Sequence, residues 1–244
     1  EIQSIIDGYR LGGCSDILAP LINAAFSTMQ IDTVEAQAVY LAHTAGESHT
    51  LRDLSEVDAG ARTYAPFEGR GPLQVTHSQN YLRALAYLEK RIEELEWQQK
   101  IAEEPFNLDQ PGMPQPANEK LAESLTQLRN AVEAIKKNPE DASKPEYAFL
   151  FSAAFMHEAR GVKKSANLGE EPEFSGVGDE DIWMTGGLNI EEAGTNNAVE
   201  GQDAESVKTR RDVKKETYQR AYQELMKKAE NPLLESLYYP PVES

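Results

Sequence analysis

Apolar side chains recur at helical spacing along most of this chain. Leu18, Leu21, Ile22, Ala25 and Phe26 share one face and predict a short amphipathic helix over 17–29. A second helix is expected to start near Asp32, where Asp32 and Glu35 resemble a capping box. Val34, Ala38, Leu41, Ala42 and Ala45 carry it to an end around 47–50. Residues 51–70 hold fewer apolar positions and several glycine or proline breaks, which predicts loop with a short strand or hairpin. Gly69-Arg70-Gly71-Pro72 reads as a turn, and the alternation Leu73-Gln74-Val75-Thr76 as a short extended segment. The helical pattern resumes over 77–87.

Residues 88–144 read as an insertion. Ile92, Leu95 and Ile101 predict one helix, the proline-rich run 105–116 breaks it, and Leu121, Leu125, Leu128, Val132 and Ile135 predict a second. The expected unit is a helical hairpin. Residues 147–157 are strongly apolar and predict a buried helix, whereas 161–201 is rich in Gly, Asn, Asp and Glu and reads as a long irregular loop around Ile182-Trp183-Met184. A last helix is expected over 209–230, with Val213, Tyr218, Ala221, Tyr222 and Leu225 facing inward, followed by a proline-containing extension over 231–244. Strand signal is scarce. The expectation is a single mainly α domain over 1–244, with a small loop or short-strand region.

Composition leaves this picture in place: 40% hydrophobic and 27% charged residues are ordinary for a globular chain. Charge adds more. The net charge of −17 makes nucleic acid a poor partner, because phosphate binding needs a basic face. It also repels anionic walls and lipids, so such a surface would have to be reached by local contacts. The single cysteine, Cys14, excludes an internal disulfide framework and a cysteine zinc cluster, and reads as a small buried hydrophobe. There is no run of 18 apolar residues to span a membrane, and the first residues show no basic segment followed by an apolar stretch, so no signal peptide is expected in this chain. A monomer is expected.

Candidate chemistry concentrates between residues 40 and 81. Glu47 closes an apolar helix, where desolvation and the negative end of the helix dipole both favour a protonated carboxyl. Such a group can donate its proton to a leaving oxygen. Glu56, nine residues on in a polar loop, is expected to stay ionised. Two carboxyl groups in opposed environments are what glycosidic cleavage needs. Alone, the same pattern also suits a surface glutamate at a helix end. Should Glu56 not be the partner, Glu68, Asp53 and Asp58 are the nearby carboxylates.

The stretch FEGRGPLQVTHSQNY resembles the signature of the family 19 glycoside hydrolases, the chitinases and phage endolysins, and the upstream AHTAGES resembles the helix that delivers their catalytic acid. The likeness covers roughly 20–87 well. It is looser over 147–225, where FSAAFMHEARGVKKSAN, MTGGLN and TRRDVKKETYQRAY are similar to the family's later helices, Asn/Gly-rich loop and closing helix. The resemblance implies a lysozyme-like fold with Glu47 as general acid, Glu56 as general base and Thr76 holding the attacking water. It also implies Gln74 and Asn80 along the sugar groove. Tyr64 and Phe67 offer flat faces to pyranose rings or else are buried. Gly69 and Gly71 would let backbone approach the glycan, and Arg70 would orient carboxylates or loop carbonyls. Asn189 and Arg210 are further substrate-binding candidates, although here the paired glycines precede the asparagine.

The reaction so implied is inverting cleavage of β-1,4 bonds in the glycan strands of peptidoglycan, with no metal and no other cofactor. Chitin is the alternative substrate, and a glycan-binding or partner-docking module without turnover is the alternative class. A zinc site is disfavoured. His43, Glu47 and His49 do not form HExxH, and Gly161 stands where a second histidine would be needed after His157-Glu158. No GxSxG occurs either. The expected setting is secretion or delivery to a target-cell periplasm, as a type VI antibacterial effector or an endolysin. An immunity protein that plugs the groove would accompany the effector.

Overall fold

The computed structural model describes residues 2–7, 15–56, 63–103, 115–158 and 204–229. In chain order these form α1 (Ile2–Asp7), α2 (Ser15–Met29), α3 (Val34–Glu47), α4 (Ser78–Glu103) and α5 (Gln115–Lys137). Beyond them lie a 3-10 turn (Pro139–Ser143), α6 (Pro145–Glu158) and α7 (Ala204–Ala229). The mainly α class expected from the pattern is what these residues show. The extended segment expected at 73–76 reduces to single antiparallel bridges, Ser55 with Arg70 and Arg70 with Val75. No helix among the described residues is long and apolar enough to cross a membrane.

Two helices form the centre. α6 is apolar nearly all round, and a helix of that kind has to be enclosed. Residues 148–154 are all buried, and α2, α4 and α5 pack around them. α3 is the second: residues 38–46 are buried, and α7 lies along it. Tyr40 joins the two centres, donating its hydroxyl from α3 to the Phe149 carbonyl of α6 at 3.1 Å. Burial pushes this phenol well above its ordinary pKa, so the donor persists at any working pH.

The start of α3 departs from the expected capping box. Thr33, not Asp32, is the cap: its Oγ1 accepts from the Ala36 amide at 3.1 Å. From Thr33 that amide is the third of the helix, within reach of a short hydroxyl side chain.

The hairpin forms as the apolar stripes require. Leu121, Leu125, Leu128, Val132 and Ile135 are buried, and α5 packs against α4 and α6. The boundary drawn at residue 88 falls inside α4, however, which runs unbroken for 26 residues. Side chains also stitch the hairpin to α2. Arg91 Nε donates to the Thr28 carbonyl at 2.9 Å, and Thr28 Oγ1 donates to Ser124 Oγ at 3.1 Å. His157 is engaged on both ring nitrogens, with the Tyr87 hydroxyl at 2.7 Å and the Met29 carbonyl at 3.0 Å. It holds α6 to α4 and α2. Cys14, Asp58, the expected loop over 161–201 with Asn189, and the extension over 231–244 lie outside the described residues.

Candidate active site

Glu47 is the last residue of α3, and the chain leaves it through an unusual turn. His49, Thr50 and Leu51 all have left-handed backbone, with φ of 46°, 58° and 65°. Non-glycine residues in that region cost about 1–3 kcal/mol each and persist only where the surroundings over-determine them. Here Ser48 does the determining. Its buried hydroxyl donates to the Thr44 carbonyl and accepts from the Leu51 amide at 3.0 Å. Its carbonyl accepts from the amides of Arg52 and Asp53 at 2.9 and 3.1 Å, and the Thr50 amide reaches back to Ala45 at 2.8 Å. Leu51, buried, anchors the turn.

On the near side of the turn, Glu47 is paired. Lys214 of α7 donates its ammonium to Glu47 Oε1; the lysine side chain is 6% exposed and the glutamate side chain 28%. The lysine lies over Gly46, where an added Cβ would stand 2.4 Å from Lys214 Cε and 2.5 Å from its Cγ. Gly46 is therefore the slot that admits the lysine arm. One turn earlier on α3, His43 is buried and its Nδ1 has no partner among the described residues. Burial, with the Lys214 charge as a second cause, holds its pKa well below the ordinary imidazole value. Lys214 is thus the ammonium between a neutral imidazole and the carboxylate.

On the far side, Glu56 is clamped to the GRG turn. Its Oε1 accepts from the Tyr64 hydroxyl at 2.7 Å, its Oε2 from the Gly69 amide at 3.0 Å, and its own amide donates to the Gly69 carbonyl at 2.7 Å. The turn closes through two Arg70–Val75 backbone bonds of 3.2 and 2.9 Å, and Gly71 donates to the Leu54 carbonyl at 2.8 Å. Gln74, itself at φ 50°, ties the two layers together. Its amide nitrogen donates to the carbonyls of Asp53 at 3.0 Å and Gly71 at 3.1 Å.

The structure therefore brings Glu56, Tyr64, Gly69, Arg70, Gln74 and Thr76 into one bonded cluster, joined to Glu47 through the turn at 48–53. It also reassigns several of them. Gln74 braces backbone instead of lining a groove, because its amide hydrogens are spent internally. Asn80 donates to the Thr76 carbonyl at 2.8 Å and steadies the start of α4. Phe67 packs edge-on against Tyr81, with ring centres 5.2 Å apart, at the rim of the core; it is a packing residue and not a sugar platform. Tyr64 serves Glu56 through its hydroxyl and meets His77 edge-on at 5.0 Å.

Internal packing by itself already requires both glycines. A Cβ on Gly69 would meet Gln74 Oε1 at 2.8 Å, and one on Gly71, at φ 69°, would meet Ser152 Oγ at 2.7 Å. Arg70 does orient a carboxylate: it pairs with buried Glu68 at 3.3 Å. Glu68 is only 3% exposed, and that burial removes it from the set of alternative bases. The Thr76 hydroxyl donates to the Gln74 carbonyl at 2.8 Å, which leaves its lone pairs free to accept from a water.

Arg210 lies on α7 one turn before Lys214. The cation that α7 places on Glu47 is Lys214, which was not among the residues expected at the site. The signal was present: Thr217, Tyr218, Ala221 and Leu225 are buried, and position 214 continues that stripe by one turn. A lysine on an inward stripe calls for a carboxylate partner. Among the described residues no cluster of three or more His, Cys, Asp or Glu could hold a metal ion. His49 instead bonds Asp53 at 2.8 Å. Comparison with known families, with curated proteins and with solved structures finds no match to this chain.

Proposed function

We propose that this chain is a peptidoglycan hydrolase of the lysozyme type, cutting β-1,4 glycosidic bonds with inversion. Glu47 is the general acid and Glu56 the general base. The observation that carries the reading is that two carboxyl groups nine residues apart flank one tightly bonded turn, each fixed by its own donors. One sits at the end of a buried helix against a single ammonium. The other, in a polar loop, accepts from a phenol and a backbone amide. The resemblance to the family 19 hydrolases supports the same assignment.

Lys214 holds Oε1 of Glu47 and its charge favours the carboxylate, against the protonated form expected at a helix end; as general acid Glu47 would carry its proton on Oε2. As that proton passes to the leaving oxygen, the carboxylate left behind is already paired, which lowers the cost of the charge that forms. Glu56, fixed by Tyr64 and Gly69, draws a proton from a water that Thr76 helps to hold as acceptor. Inversion calls for carboxyl groups about 6.5–9.5 Å apart with that water between them. The chemistry of this chain's own residues suffices for each proton transfer. Delivery to a bacterial periplasm as an effector or endolysin domain, met by an immunity protein in the effector case, belongs to this proposal.

Digestion of purified sacculi and of chitin in parallel tests it. Released fragments are reduced with borohydride, and mass spectrometry identifies the new reducing sugar. Clearing of sacculi with reduced muramic acid ends supports the lysozyme. Cleavage of chitin alone reassigns the substrate, and binding without new reducing ends overturns the enzyme.

A further inference from the structure

Trp97 stands on α4 with 66% of its surface exposed. Beside it lies an open cleft of about 450 Å³, within the range of small-ligand sites. Gln30 just after α2 and Lys90, Arg91, Glu93, Glu94 and Gln98 of α4 line it with the tryptophan. None of these residues takes part in the Glu47–Glu56 site. The polar wall is fixed in place: Arg91 is 5% exposed, held by Nε on the Thr28 carbonyl and by Nη1 on Glu94 at 2.9 Å. Lys90 also reaches Glu94, at 3.7 Å.

We propose that this cleft is a second glycan subsite, taking an N-acetylated hexose unit of the same polymer on which the first site acts. The inference rests on the proposed glycan-directed function for the polymer, and on the cleft itself for the binding chemistry. A pyranose has one apolar face of C–H groups and a rim of hydroxyls. Trp97 supplies a flat face for the former. Two amide side chains, two carboxylates and a preorganised guanidinium supply donors and acceptors for the latter. A protein-docking patch would centre on several contiguous apolar side chains; this cleft has a single large one in a polar setting. Two acidic residues in the wall balance the two basic ones, which leaves no basic face for a nucleic acid. The subsite would offset the long-range repulsion of a chain with net charge −17 by holding the strand locally.

The test separates binding from turnover. In the full-length Glu47→Gln chain, with Trp183→Phe so that Trp97 is the remaining tryptophan, an N-acetylglucosamine tetramer is titrated while indole emission is monitored. Co-sedimentation with purified sacculi is measured with and without Trp97→Ala, and with Gln98→Ala as a milder surface variant. Saturable change in emission is expected, with sacculus binding weakened about three- to tenfold by Trp97→Ala, the range of one aromatic contact. In the active chain, Trp97→Ala should slow clearing of sacculi and leave turnover of short soluble fragments unchanged. Unchanged emission together with undiminished sedimentation of both variants would overturn the subsite, whether or not the chain hydrolyses glycan. Trp97-dependent binding in a chain that never cleaves would sustain the subsite and remove the catalytic reading instead.

Discussion

At the residue scale, the account turns on what each carboxyl touches. Glu47→Gln keeps an oxygen for Lys214 to donate to, so the fold should persist. Glu47→Ala leaves the buried ammonium unpaired. It should cost about 2–3 kcal/mol in urea unfolding, below the 3–5 typical of fully buried pairs because the Glu47 side chain is 28% exposed. Gly46→Ala should push the lysine arm aside and slow cleavage despite its better helix propensity, a gain of about 1 kcal/mol. Loss of stability with full activity would show that Lys214 does not assist Glu47. Glu56→Gln should lower turnover by about 10²–10⁴-fold, the usual worth of a general base; near-normal rates would move that role to Asp53 or Asp58.

His43 gives a pH prediction. Its folded pKa is depressed by burial and then by Lys214, while the unfolded chain titrates near 6.5. Above that pH both states are neutral and the residue contributes no slope. Below it the unfolded chain takes up a proton that the folded chain refuses, so stability falls as pH drops, by up to about 1.4 kcal/mol per unit. Urea midpoints between pH 7.5 and 5 should show this fall, and His43→Leu should flatten it. Glu47 and Lys214 face the same space; an unchanged slope in His43→Leu would assign the titration to another group.

At the scale of elements, periodicity was enough to find α2 to α7, while α1, six residues long, is too short to show a repeating stripe. Leu121 to Ile135, or Val213 to Leu225, bury one stripe at helical spacing, and packing alone rewards that pattern. What stayed hidden depends on backbone geometry. Nothing in the types His49, Thr50 and Leu51 announces three left-handed residues, because a buried serine hydroxyl and returning amides impose that shape. Likewise Gln74 and Asn80 are polar residues in a promising motif, yet their hydrogen bonds are spent on carbonyls that only the fold brings near. Residue 88 marked a change of composition, not of structure. Since α5 covers α6, the hairpin belongs to the core: Leu128→Ala should cost about 2–5 kcal/mol in chemical denaturation. A neutral effect would make the hairpin a peripheral addition.

At the scale of the whole molecule, a surplus of 17 negative charges should oppose approach to the anionic wall that the proposed function requires. Exchanging exposed glutamates such as Glu123 and Glu133, on the hairpin, for lysine should raise the rate on intact anionic walls at low salt. The gain should fade as the Debye length shrinks from about 30 Å at 0.01 M to about 8 Å at 0.15 M salt. Equal rates at both salts would show that repulsion is not limiting. The mainly α class was legible from patterning, and the position of Glu47 at a helix end was legible from the spacing of the apolar residues before it. The ammonium that meets it was not, because it arrives from a helix 167 positions away in sequence.

The most direct measurement is the time course of new reducing ends from purified sacculi, run with the wild-type chain and with Glu47→Gln at equal folded concentration. Steady release is predicted for the first and none above background for the second, with cooperative unfolding kept in both and a midpoint in Glu47→Gln lowered less than in Glu47→Ala. Comparable release by the two chains would contradict this, because the proton would then be coming from somewhere else.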